Sequence, residues 1–192
     1  MLKEIPAALR DAAQLRSFAA GQTLFHRGER PNAMLCVLSG EIRLVRRSRR
    51  GTEIVLQRVG EGFVAEASME SKAYHCDVVA AAEGRLLAFP IAAFEAALAQ
   101  DAAFRRAWIR HLAQEVRRLR AQNERLSLNS AAERILHFID AEGVDGRAIL
   151  TQSRKAWAME LGMTHEVLYR TLRRLREEGT LTIDGDVIAL AR

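Results

Sequence analysis

Apolar positions change their period along this chain. Up to about residue 90 they come in short runs: Thr23-Leu24-Phe25, Met34 to Leu38, Ile42 to Val45 and Ile54-Val55-Leu56. Turn glycines at Gly21, Gly28, Gly40, Gly51, Gly60 and Gly62 separate them. Short strands punctuated at this rhythm predict a sandwich or barrel. After Pro90, Ile91 to Gln100 reads as a short helix. Asp101 then caps a run to about Leu128 in which Trp108, Leu112, Val116, Leu119 and Leu126 recur at spacings of three, four and seven. Arginines surround this narrow seam. It reads as an amphipathic helix, much longer than average, suited to self-association as a two-stranded coiled coil. Packing along its own β domain is the alternative, and both can hold at once. His111, Gln122 and Asn123 near the seam are candidates for fixing register.

From Ser153 onward the pattern is helix, turn, helix. Ala156, Trp157, Ala158 and Leu161 form one apolar stripe, and Gly162 suits the positive φ that ends a helix. Thr164 is placed to cap the next helix, whose inner side is Val167, Leu168, Leu172 and Leu175. His165, Glu166, Tyr169, Arg170 and Arg173 fall largely on its outer face. An ordinary helix pair with a solvated charged face is the plainer alternative, but spacing, cap, glycine and charge agree on a DNA-reading unit. In such units the early residues of the second helix meet base edges. Arg170 could donate to guanine O6 and N7, and Glu166 could accept from cytosine N4. Gly179 ends that helix. Thr180 to Ile183 and Val187 to Leu190 then alternate around Asp184-Gly185-Asp186, a hairpin that completes a winged helix. The candidate DNA-contacting set is Arg154, Lys155, Thr164, His165, Glu166, Tyr169, Arg170, Arg173 and Arg174.

Gly162, Thr164, Glu166 and Arg170 together resemble the family of the cAMP receptor protein and FNR-type bacterial transcription regulators. There a glycine, a short turn ending in Ser or Thr, and Glu-x-x-x-Arg mark the recognition helix. The resemblance covers nearly the whole chain, more loosely in the N-terminal half. Gly21-Gln22-Thr23-Leu24-Phe25 with Gly28-Glu29, Leu38-Ser39-Gly40, and Gly60-Glu61-Gly62 are similar to a cyclic-nucleotide-binding domain. The resemblance implies an α+β fold in three parts. These are a cyclic-nucleotide-binding-like, jelly-roll-like β-roll sensor over residues 1–100, a long dimerisation helix over 101–128, and a winged helix-turn-helix over 129–192. It also implies a homodimeric transcription regulator, with Glu166 and Arg170 as base readers and His165 and Tyr169 tuning the site. The partners it implies are a palindromic double-stranded DNA operator, a second copy of the chain, and RNA polymerase. Two recognition helices about one DNA turn apart match a palindrome.

The candidate effector pocket, Ala65, Glu66, Ala67, Ser68, His75 and Cys76, departs from the family pattern of Gly-Glu, a short helix, then Arg-Ser/Thr-Ala. Glu66 stands where the family carboxylate takes the ribose hydroxyl, but His75 replaces the arginine that pairs with the cyclic phosphate. A permanently charged planar fork has become an imidazole, which has neither the fixed charge nor the bidentate geometry of a guanidinium. Asp77 adds negative charge nearby. The expected effector is therefore not cAMP. Three alternatives stand for His75-Cys76-Asp77. Cys76 packs in the barrel while His75 makes a satisfied hydrogen bond, or Glu66 and His75 hold another small effector. In the third, His75 and Cys76, with Glu66, Tyr74 or Cys36, sense a metal or oxidant. On a strand, however, adjacent residues point to opposite faces. An effector-independent DNA binder remains a further reading.

Cysteine usage narrows the cofactors. Cys36 and Cys76 are the only cysteines, while an iron–sulfur cluster usually takes four; free thiols are expected in a reducing compartment. Haem ligation by His75, His26 or Cys76 has no positive signal. No cofactor is assigned. The five histidines are scattered singly, with no metal-cupin spacing, nucleophile–base motif or phosphate-gripping loop, so the expectation is not an enzyme. There is room for two small domains in 192 residues. No long apolar run or signal-peptide core appears, and a cytoplasmic location without membrane partners is expected.

Net charge is +5, yet bulk charge does not explain DNA binding. From Asn129 onward nine basic residues stand against ten acidic ones. The excess lies earlier, notably in Arg46-Arg47-Ser48-Arg49-Arg50, read as a solvated hairpin tip that could also touch flanking DNA or RNA polymerase. DNA binding would rest on where individual arginines sit.

Overall fold

A computed structural model describes residues 2–51 and 53–191. Two compact units divide the chain, Met1–Ala113 and Gln114–Arg192. The boundary falls within the long helix.

The first unit holds α1 (Ala7–Asp11), β1 (Gln14–Phe18), β2 (Thr23–Phe25), β3 (Ala33–Arg47), β4 (Glu53–Val59), β5 (Gly62–Val64), β6 (Asp77–Pro90), α2 (Ile91–Gln100) and the start of α3 (Ala102–Ser127). The strands form one antiparallel sheet in the order β1-β6-β3-β4, with β2 also pairing β6 and β5 also pairing β3. The runs on either side of Gly40, read as separate strands, are one long strand. Gly40 (φ +87°) crosses Gly84 of β6 so closely that a Cβ on either would collide with backbone of the other strand. The β3–β6 register shifts repeatedly between Val37 and Ile42. Two residues without side chains let the ladder bend rather than break.

Every residue from Ala33 to Val37 is buried, because β3 lies between two cores. Ala33, Leu35 and Val37 join Phe18, Phe25, Val64, Val78 and Leu86. Met34 and Cys36 face the other way, onto Phe63, Phe89, Phe94, Phe104 and Trp108. A strand covered on both faces reads as a continuous apolar run rather than an alternation. The second cluster also takes Ile5 and Leu9, so α1, which the apolar pattern does not announce, is held by packing.

The second unit continues α3 and adds α4 (Ala131–Glu142), β7 (Arg147–Ile149), α5 (Arg154–Glu160), α6 (His165–Glu177), β8 (Leu181–Asp184) and β9 (Val187–Leu190). The three strands pair in the order β7-β9-β8. Trp157, fully buried, centres a core with Ile135, Phe138, Ile139, Leu161, Leu168, Leu172 and Ile188. A capping box starts α4: Ser130 accepts from the Glu133 N–H, and Glu133 accepts from the Ser130 N–H. Two orphan donors are thereby satisfied.

Candidate functional site

The outward face of α6 is built from its cap. Thr164 Oγ1 accepts from the Val167 N–H at 3.3 Å, as its position in the sequence anticipates. Leu168, Leu172 and Leu175 are buried, and Val167 is half-buried. His165, Glu166, Tyr169, Arg170, Arg173 and Arg174 are exposed. The His165 and Tyr169 rings meet edge to face with centroids 4.5 Å apart. Arg173 pairs with Glu177 at 2.8 Å and Arg174 with Glu178 at 3.5 Å. Neither Glu166 nor Arg170 has an ion-pair partner among the described residues. Exposed i,i+4 pairs hold their partners weakly, so Arg173 and Arg174 exchange readily onto another anion.

Beside this face an open groove of about 590 Å³ is lined by Arg154, Tyr169, Arg170, Arg173, Arg176 and Ile183, among others. Four arginines around one groove make it a strongly cationic surface. Arg176 is absent from the candidate set drawn from the sequence, because its spacing alone does not tell whether it faces outward or toward the hairpin. Arg154 is in the set but is partly committed. Its Nη2 donates to the Gly185 carbonyl at 2.6 Å, which ties the hairpin turn to the first turn of α5. Lys155, next to it, is exposed.

In the first unit, Ala65 caps the short 3-10 helix Glu66–Ser68 with φ +70°. That left-handed conformation favours glycine, so the alanine carries local strain. Ala65 and Ser68 are buried, Glu66 is partly buried and Ala67 is exposed. Glu66 Oε1 lies 2.8 Å from Nε2 of His111 on α3. His111 also abuts the Phe63 and Trp108 rings. The register role read for His111 is therefore corrected: the imidazole turns onto its own sheet domain, where a carboxylate and two aromatic rings hold it.

His75 and Cys76 precede β6, which begins at Asp77, so the strand geometry assumed for all three does not apply. His75 is exposed, with Nδ1 3.4 Å from Ser68 Oγ. Cys76 packs into the sheet interior. Asp77 turns away, accepting from the Arg27 N–H at 2.8 Å and lying 3.6 Å from His26 Nδ1. The two thiols belong to different cores. Burial pushes the Cys36 thiol up to about 12, with the Glu66 charge adding to it, and burial raises Cys76 as well. Protonated, enclosed thiols are poor nucleophiles and poor metal ligands. Among the described residues no group of three or more His, Cys, Asp and Glu is placed to hold a metal ion.

On α3, Trp108 is buried in the second core and Leu112 packs against it. Val116, Leu119 and Leu126 are each more than 40% exposed. The seam is thus divided: its first members serve their own domain, Val116 and Leu119 are about half exposed, and Leu126 keeps 42% of its surface exposed beside the Gly162 turn. Arg46, Arg47, Arg49 and Arg50 are exposed around the β3–β4 turn. No helix among the described residues is long and apolar enough to cross a membrane.

Comparison with known proteins gives these features a setting. Residues 15–101 match the cyclic nucleotide-binding domain family. Among solved structures, the chain is similar to FixK2 from Bradyrhizobium japonicum, with TM-score 0.72, 21% identity and coverage of 94% of this chain and 93% of that one. A CooA mutant from Carboxydothermus hydrogenoformans aligns with TM-score 0.75 and 16% identity, over 95% of this chain and 85% of that one. A transcriptional regulator of the CRP/FNR family from Thermus thermophilus aligns with TM-score 0.63 and 21% identity, over 93% and 94%. The chain has the fold of the Crp/FNR regulators. No curated protein matches it. In this Crp/FNR fold the matched family segment spans β1 to α2 and includes the connection between β5 and β6 that carries Glu66 and His75.

Proposed function

We propose that the chain is a sequence-specific, homodimeric DNA-binding transcription regulator. The observation that carries this reading is the outer face of α6. Behind the Thr164 cap, Glu166 and Arg170 stand one turn apart without ion-pair partners among the described residues. An acceptor and a bidentate donor so placed can read cytosine N4 and guanine O6/N7 in the major groove. The groove arginines supply phosphate contacts, which position the helix without specifying sequence. In this reading α4 to α6 with β7 to β9 form a winged helix, and Val116, Leu119 and Leu126 supply the seam between two copies. RNA polymerase is the further partner expected of a regulator.

The sheet domain would serve a signal other than cAMP. By the resemblance, His75 stands where the family has its phosphate-pairing arginine, and Glu66 is already engaged by His111. An effector that binds must compete for that carboxylate, and would act by shifting a population between two arrangements. Selection of DNA from a random library, with and without cAMP, tests both parts. An enriched palindrome indifferent to cAMP is expected. Absence of any enriched sequence refutes the DNA-reading role, and enrichment only with cAMP refutes the departure from cyclic nucleotides.

A further inference from the structure

Arg134 projects from α4, yet its hydrogen bonds go to the ends of two other helices. Its Nε donates to the Leu128 carbonyl at 2.9 Å, just past the end of α3. Its Nη1 donates to the carbonyls of Leu161 at 3.1 Å and Gly162 at 3.0 Å, in the turn between α5 and α6. Carbonyls at the C-terminal end of a helix lack intrahelical donors and need partners from elsewhere. A planar guanidinium, with five donors in a fixed fork, can serve three such carbonyls at once; an ammonium cannot hold that geometry.

Two further observations converge on the same junction. Gly162 has φ +65°, and a Cβ there would stand 2.8 Å from Leu126 Cδ2 and 3.1 Å from Arg134 Nη1, so the turn sits directly against the last turns of α3 and against the guanidinium. Arg125 of α3, with no exposed surface, places Nη2 2.8 Å from Glu142 Oε1 and Nη1 3.5 Å from Glu160 Oε1. Its guanidinium lies 4.8 Å from the centre of the Phe138 ring. Glu142 ends α4 and Glu160 ends α5. Two arginines thus lock the C-terminal end of α3 to α4, to α5 and to the turn that launches α6.

We infer that Arg134 is a positioning residue that sets the direction of α6 against the end of α3. The inference rests on the DNA-binding reading. The base-reading side chains sit on α6, and α3 is the element two copies would share. The junction therefore governs the separation and tilt of the two half-site readers, not the base preference of either one.

The test uses the full chain and its selected palindrome, with the spacer between half-sites changed in single-base-pair steps, alongside single-base substitutions in the half-sites. Wild type should prefer one spacing sharply. Arg134→Gln should lose affinity at that spacing by about tenfold and show a flattened spacing profile, while the ranking of half-site bases stays unchanged. Arg134→Lys keeps the charge but cannot make all three bonds, and should behave like Arg134→Gln; if the glutamine variant does not fold, the lysine variant carries the same comparison. Full rescue by lysine, or a lower melting temperature with an intact spacing profile, overturns the positioning role alone. A wild-type chain that selects no palindrome overturns the DNA-binding reading and this inference with it.

Discussion

Glu66 and His111 stand 45 residues apart in sequence and meet at 2.8 Å, with side chains 11% and 17% exposed. Their contact joins the short helix that follows β5 to the first half of α3. Such a pair is sheltered enough that losing one member leaves the other poorly solvated. His111→Ala should therefore destabilise the chain by about 1–3 kcal/mol, with Glu66→Gln milder because an amide can still bond the imidazole. Urea unfolding checks this. Equal stabilities for wild type and His111→Ala would mean that water replaces the imidazole at no cost.

The buried thiols set a stability limit at alkaline pH. Cys36 is raised from an ordinary value of 9.0 to about 12 in the folded chain. The unfolded chain releases its proton first, so it binds fewer protons than the native state above pH 9.0, and stability falls as pH rises through that window. The contribution is fully present below the unfolded value and is lost as pH approaches the folded one. Denaturation midpoints measured upward from neutral pH should decline, and less steeply in Cys36→Ala once its baseline loss is subtracted. A thiol reagent at neutral pH should label both cysteines only after denaturant is added; rapid labelling of the native chain would contradict their enclosure.

Arg170 is the sharpest probe of base reading. Arg170→Ala should cost about 1–3 kcal/mol on the selected site and relax discrimination at one base position. Random-sequence DNA should lose less. Competition binding at one fixed salt concentration compares the two, and equal losses would reduce Arg170 to a phosphate contact.

Leu119 is 48% exposed and Val116 46% exposed on α3. Leu119→Glu should leave the fold intact, because neither residue supports its own domain, and should yield monomers with weak DNA binding. Sedimentation equilibrium reads the outcome. A variant that remains dimeric would place the interface elsewhere.

Much of this molecule is written locally. The Thr164 cap, the Gly162 turn, the inner stripe of Leu168, Leu172 and Leu175 and the closing hairpin follow from spacings a few residues long, because helix period, capping and turn chemistry act over that range. The short-strand rhythm likewise announces an all-β domain, read as a sandwich or barrel; its pairing in one antiparallel sheet comes from the structure. The structure corrects the chain where distance along the sequence matters. Gly40 reads as a turn because nothing local reports that Gly84 crosses it. His111 reads as a seam residue because its partner Glu66 lies on another element.

The outward face of α6 and the apolar seam of α3 were thus determined by the sequence itself, through periodicity. Which seam residues their own core consumes, that Arg154 turns to the hairpin, and that Arg134 and Arg125 tie the end of α3 to α4 and α5 were decided only by the tertiary structure. Arginine has no periodic signature that distinguishes its roles. The same side chain is a solvated charge or a three-pronged clamp, depending on which orphan carbonyls and carboxylates the fold brings within about 3 Å of it.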